Sequence, residues 1–534
     1  AISGWMRMPE LARGPDPRSA AARVVVRGWA ALWPLAALTG VVVLLALVGV
    51  LPRWPGLVHA VALPPVDMYT DLRVLLARSH SEIEFFTALV VVLAVRVVVL
   101  CLLTGGLTWA RVRFVLLFYL VVGVPLALAA QMGFMAQSLL YSRLFWAAVS
   151  LLALVWFGMA ALPWQGTTRL RTAFREAWGS GLRIAVLLPY AVALLLLGAV
   201  ADLRPGWSLL LVPVSAVLTG AAVLALRRPP RGRPGLRLAA AAVAFAVAAT
   251  VFVATRGGEG YGPQPPERPG SLLLMSGINS GSGRGAIFET EVERLGYGCE
   301  QTYYFSYAGE GDGQPRGVAA CPIRTGAPYV PRDTQRPLAE QVRAFAEQVE
   351  DLPRPLVVAG HSHAVWVAWR AVAEGRAPEV DVLLLVGPFP RSPIGYPPAG
   401  KRGEGRVAGD LLRMVVPLAA RVDFVFEPDS PGARELLATP DGASAVLAEP
   451  LPPEVRSFSV TSATDLPLMP DGWRLPVDRN VCPQRVAHPY LPIRPVFYRE
   501  VNRFLTERPP LDCPVWRDWG AMLSRPFTLP PHAS

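Results

Sequence analysis

Lysine is almost missing from this chain: among 534 residues only Lys401 occurs, and arginine supplies the remaining positive charge. That skew reads as coding bias and carries no functional weight. The absences that matter are motifs. No GxGxxG and no phosphate loop appears, which argues against a nucleotide cofactor. The Gly-rich GINSGSGRG (277–285) follows an apolar run but lacks the lysine of a phosphate loop. There are five cysteines and six histidines, with no CxxC and no Cys/His spacing for zinc, so neither a metal nor a cofactor is expected. The net charge of +11 is no sign of nucleic-acid binding either. It divides as +14 before residue 256 and −3 after, and the excess is arginine in short loops between apolar blocks.

Those blocks are what the chain has in abundance. About 20 apolar residues span a bilayer as a helix, and seven stretches qualify: roughly 30–51, 84–105, 113–131, 144–162, 182–201, 207–226 and 237–254. No small-residue cleavage signal follows the first, so it is expected to be an anchor and not a signal peptide. Arg7, Arg13, Arg18, Arg23 and Arg27 precede it, and the loops near 111, 169–183 and 227–237 hold two, four and five more. The alternate loops hold only Arg53, Arg73 and Arg78, then Arg143, then Arg204. The positive-inside rule puts the N-terminus in the cytoplasm and, with seven spans, everything after residue 255 outside. Arg96 falls near the middle of the second span, where snorkelling to one interface is the ordinary expectation. VDMYTDLRVLLARSH (66–80) reads as an amphipathic piece on the outer surface. Cys101 sits inside a span as a small apolar residue. Cys299, Cys321, Cys482 and Cys513 all follow the last span, an even number outside the cytoplasm, as disulfides require. Proximity favours Cys299–Cys321 and Cys482–Cys513; two other connectivities are open.

The expected organisation is a basic arm (1–28), a transmembrane helical domain (29–255), a Gly/Pro linker (256–270), an α/β domain (271–508) and a Pro-rich tail (509–534). In the α/β part, SLLLMSG (271–277), CEQTYYFSY (299–307), PLVVAG (355–360), VDVLLLVG (380–387), VDFVFE (422–427) and VRSFSVTS (455–462) read as strands. FETEVERLGYG (288–298), LAEQVRAFAEQVEDL (338–352), the stretch from Ala364 and VFYREVNRFLTE (496–507) read as helices. Apolar strands alternating with helices imply a mostly parallel, doubly wound sheet.

One junction carries chemistry. PLVVAG runs into His361-Ser362-His363-Ala364, a serine at a strand-to-helix turn with small residues, Gly360 and Ala364, two positions away on each side. Such a turn lifts a serine hydroxyl above the sheet edge and aims a helix N-terminus at a developing oxyanion. Ala364 stands where glycine is usual. A serine nucleophile needs a base. His59 and His80 belong to the membrane half, His361 and His363 flank the serine pointing away, and His532 sits in the tail. That leaves His488, in a loop before the last helix; an ordinary surface histidine is the bland alternative. An acid must orient it. Asp465, just beyond a strand, is preferred, although Asp423, Glu427, Asp429 and Asp471 also satisfy the order.

Residues 270–508 resemble the α/β-hydrolase family of serine esterases and lipases. The resemblance rests on SLLLMSGIN, with Ser276-Gly277 where His-Gly is usual, on YVPRDTQRPLAEQV, on the GHSHA bend, and on the spacing of Asp465 and His488. It implies a Ser362–His488–Asp465 triad and an oxyanion held by backbone N–H groups of His363 and of Ile278–Asn279. It also implies hydrolysis of acyl esters, lipids among them, at the bilayer surface. Residues 388–420 read as a lid. An acyltransferase with the same triad, or a binding module on an inactive hydrolase scaffold, fits the same residues.

Overall fold

The computed structural model describes residues 31–228, 260–419, 421 and 424–531. The basic arm, the expected span 237–254, Asp423 and His532 lie outside them.

The N-terminal part is helical: α1 (Trp33–Leu47), α2 (Val66–Arg78), α3 (Glu82–Leu103), α4 (Trp109–Ser138), α5 (Ser142–Met159), α6 (Leu170–Gly179), α7 (Ile184–Leu203) and α8 (Ser208–Leu226). In hydrocarbon every backbone amide must be satisfied within its own segment, and unbroken Leu/Val/Ala runs do that as helix. Ser81 caps α3 by accepting the Glu84 N–H at 3.3 Å. Among the described residues five helices are long and apolar enough to cross a membrane: Glu82–Leu103, Trp109–Ser138, Ser142–Trp164, Gly181–Leu203 and Pro205–Leu226. They expose Ile83, Val91, Val124, Leu154, Leu196 and Leu210, as lipid-facing surfaces do. The first expected span is shorter than its apolar run: α1 has 15 residues, about 22 Å against a hydrocarbon core of about 30 Å.

The C-terminal part is built on six parallel strands: β1 (Ser271–Met275), β2 (Thr302–Tyr304), β3 (Leu356–His361), β4 (Val380–Val386), β5 (Arg456–Val460) and β6 (Arg479–Asn480), in the order β2-β1-β3-β4-β5-β6. Leu272 pairs with Val357, Leu385 with Gly360 and with Ser459. The strands between the edges are buried nearly throughout, which is why they read as continuous apolar runs. Helices α9 (Leu338–Val349) and α10 (Ala364–Ala373) pack Phe345, Trp366 and Trp369 into the same core. Cys299–Cys321 and Cys482–Cys513 stand at disulfide distance, with Cα–Cα separations of 5.3 and 5.0 Å.

The two parts share their interiors. Ala136, Leu140 and Phe145 of the helical part belong to the apolar core of the sheet. Tyr396, Ala408 and Leu412, from the segment after β4, pack into the helical core, as does Leu529. At 30 residues α4 runs about 45 Å, longer than a bilayer core, and its far end carries Gln131, whose Nε2 donates to Ala408 O at 2.9 Å. The contacts fall on one end of the bundle. Arg406 pairs with Glu82 (3.1 Å), Arg78 with Glu404 (2.8 Å) and Arg525 with Asp202 (3.0 Å). The tail threads back to the same end: Arg73 Nη1 donates to Pro526 O (2.8 Å) and Thr528 O (2.6 Å). At the other end, Arg111 donates to Gly106 O, Arg227 to Leu103 O and Arg183 to Leu226 O.

Several expectations change. Arg96 does not snorkel: it is buried and grips Asp71 with Nε and Nη2 at 2.6 and 2.8 Å, since a charge held inside needs a partner. The amphipathic α2 does not lie on the outer surface; Met68, Tyr69, Leu72 and Leu76 are buried, and the helix packs on α4. The helix expected at 288–298 shrinks to a 3-10 turn, Val292–Leu295. Tyr498 Oη takes up the Glu291 N–H (3.0 Å), and Gly296, at φ 84°, ends the turn. Residues 424–427 form no strand; Val425 N–H donates to Asn279 Oδ1 (2.7 Å) where a ladder partner would be. The short β6 was not expected from the sequence, being only two residues long.

Candidate active site

β3 ends at His361 and α10 begins at Ala364, so the chain turns within two residues. Ser362 makes that turn with φ 58°, in the left-handed region that a side chain with a Cβ rarely adopts. Its N–H donates to Val386 O at 2.8 Å, which pins the bend to the end of β4. The small neighbours are required by space. A Cβ on Gly277 would come 2.8 Å from Ser362 Cβ, and one on Gly360 would come 3.1 Å from Ala364 O. Ala364 itself is fully buried.

The two flanking histidines face different ways. His363 Nε2 lies 2.7 Å from Gln341 Oε1, and burial lowers its pKa to about 4. His361 is also buried, which together with nearby His488 lowers it to about 3. Both are neutral near pH 7. His361 is therefore able to donate from Nε2 to the carbonyl oxygen of His488, 3.2 Å away, and the two rings lie 5.0 Å apart. Sequence reasoning set His361 aside as pointing away from the site; a carbonyl acceptor more than a hundred residues downstream leaves no local signal.

His488 opens a 3-10 turn, His488–Ile493. Its ring rests against Gly387, where an added Cβ would come 2.6 Å from Cε1, and beside Phe389. Gly387 directly follows the strand end to which Ser362 is tied. Nδ1 of His488 lies 2.7 Å from Asp465 Oδ2. Nε2 is buried and has no hydrogen-bond partner among the described residues, Ser362 Oγ included. In ligand-free sites the nucleophile–base contact is often long. Asp465 is completely buried just beyond β5, where its N–H donates to Ser462 O at 3.1 Å. Its Oδ1 accepts from Ser142 Oγ of α5 at 2.6 Å.

The other acids that fit the order have other partners. Glu427 pairs with Arg332 (2.8 Å), Asp429 with Arg413 (2.7 Å) and Asp471 with Arg391 (3.0 Å). Of the expected oxyanion donors, His363 immediately precedes α10, whose first-turn N–H groups have no intrahelical acceptor. Asn279, at φ 62°, gives its N–H to Thr334 Oγ1 (3.0 Å). Among the described residues no group of three or more His, Cys, Asp or Glu side chains gathers as a metal site. No family model matches the chain, and neither does any curated protein or solved structure.

Proposed function

We propose that this chain is a multi-pass membrane serine hydrolase of the α/β-hydrolase type that cleaves acyl esters, with its sheet on the non-cytoplasmic side. The observation that carries the reading is the 2.7 Å contact between His488 Nδ1 and Asp465 Oδ2. It leaves Nε2 buried and unpartnered among the described residues, with the ring beside Gly387 at the end of β4, to which the N–H of Ser362 in its left-handed bend after β3 is tied.

In this reading Nε2 of His488 takes the proton of Ser362 Oγ as Oγ attacks the ester carbonyl carbon. The carbonyl electrons move to oxygen, and the oxyanion is held by the N–H groups of His363 and Ile278. Asn279 yields that role because its amide is engaged by Thr334. The tetrahedral species collapses, imidazolium protonates the departing alkoxide, and an acyl-Ser362 ester remains. Water, deprotonated by His488, repeats the sequence and releases the acid. Asp465 fixes the tautomer and stabilises the imidazolium.

Membrane placement has its own support. Together the loops that meet the sheet region, near residues 53–82, 142 and 202, hold five arginines, against eleven in the loops near 111, 169–183 and 227–237. The arginines near 111, 183 and 227 lie at the other helix ends, which the positive-inside rule assigns to the cytoplasm. Helix α11 (Arg406–Ala419) sits on the bundle and exposes Met414 and Leu418, which favours acyl chains drawn from the bilayer as substrates. The direct test is turnover of p-nitrophenyl butyrate by the full chain in detergent. Ser362→Ala and His488→Ala are expected to abolish it, and unchanged turnover in either would refute the assignment.

A further inference from the structure

We propose that the helical part of the chain orients the catalytic acid: Ser142, in the first turn of α5, is a positioning residue for Asp465. The inference rests on the triad reading above.

A buried carboxylate must have its lone pairs satisfied, and Asp465 is completely buried. Oδ2 is committed to His488. Oδ1 needs a donor, and counting protons along the local hydroxyls identifies it. A serine or threonine hydroxyl carries a single proton. Ser462 gives its proton to Val486 O. Thr464 Oγ1 lies 2.7 Å from Ser462 Oγ, so Thr464 is the donor of that pair. Its distance to Asp465 Oδ1, 3.4 Å, is correspondingly long. Ser142 Oγ, at 2.6 Å, is the strong hydroxyl donor to Oδ1 among the described residues.

The same helix turn holds the surrounding loops. Trp146, one turn along from Ser142 on the same face, donates from Nε1 to Thr464 O at 3.0 Å. The Arg143 guanidinium lies 5.4 Å over the ring of Tyr490, two residues beyond His488. Phe145 is buried in the core of the sheet. The start of α5 therefore touches both segments that deliver the acid and the base. A helix that crosses the membrane does more here than anchor: it supplies the hydrogen bond that sets the rotamer of Asp465 and, through it, the imidazole.

The test uses the full chain in detergent with p-nitrophenyl butyrate. Ser142→Thr and Ser142→Val are alike in shape and differ in the hydroxyl; Ser142→Ala adds no bulk. Ser142→Val and Ser142→Ala are expected to lower kcat about tenfold to a hundredfold, the effect of one hydrogen bond to a charged group, with KM little changed. The acid limb of their pH–rate profile is expected to move to higher pH, because a carboxylate that loses a donor holds the imidazolium more tightly. Ser142→Thr is expected to stay near wild type in both respects. Equal kcat and equal acid limbs across the Thr, Val and Ala variants would overturn the proposal. Wild-type protein that fails to react with a fluorophosphonate at Ser362 would instead overturn the triad reading itself, so the two failures are distinguishable.

Discussion

The imidazole of His361 donates to the backbone of the residue that faces it: its Nε2 stands 3.2 Å from His488 O. The position before the bend thus anchors the candidate base on the neighbouring loop. His361→Phe keeps a ring in the cavity and removes the donor. It is expected to lower kcat about threefold to tenfold, the effect of one neutral hydrogen bond, while Ser362 still reacts with a fluorophosphonate. Steady-state kinetics beside a labelling assay checks both halves.

Burial also makes these histidines sensors of acid. His361 and His363 are lowered to about 3 and about 4 in the folded protein, whereas an unfolded histidine titrates near 6.5. The unfolded state therefore binds protons first as pH falls. Stability is full above about pH 6.5 and declines as the pH drops toward about 4, by up to about 1.4 kcal/mol per pH unit for each histidine. Thermal midpoints measured from pH 7 to pH 4 are expected to fall more steeply in wild type than in His363→Gln, which has no proton to gain.

Gly387 is needed for the space it leaves. It has φ 68°, and a Cβ there would come 2.6 Å from His488 Cε1. Gly387→Ala is expected to displace the imidazole and lower kcat about a hundredfold, the scale of an ångström-level misplacement. Circular dichroism should show the helical and strand content retained.

In the helical part, buried Arg96 forms a two-bonded pair with partly buried Asp71, and buried Asp67 lies 3.7 Å from Arg96. Arg96→Met leaves Asp71 and Asp67 without their cation and is expected to cost about 3–5 kcal/mol. The double variant Arg96→Met with Asp71→Asn should recover part of that loss. Thermal unfolding of the two variants in the same detergent decides it.

Much of this architecture is legible in local sequence because local physics sets it. A run such as LVVAG is apolar on both faces, as a covered parallel strand is, and a serine between small residues at its end marks a candidate nucleophile bend. A position just beyond a strand is enough to prefer Asp465 among the acids that fit the chain order, and setting aside the other five histidines leaves His488 as the candidate base. What escapes is long-range. The hydrogen bond from Ser142 to Asp465 joins residues 323 positions apart, and one serine at a helix start has no pattern to mark it. The return of the tail to Arg73 is equally silent, because Arg73 bonds carbonyl oxygens, which every residue has. Periodicity also overstates: residues 288–298 alternate like a helix, yet Gly296 and the Tyr498 hydroxyl stop it after a single turn.

The central claim, that Ser362 is a nucleophile activated by His488, is tested most directly by mass-spectrometric mapping of the full chain after reaction with a fluorophosphonate. One adduct on the peptide carrying Ser362 is predicted, absent in Ser362→Ala and strongly slowed in His488→Ala. An unmodified Ser362 in folded wild-type protein, or an adduct that forms at the same rate without His488, would contradict it.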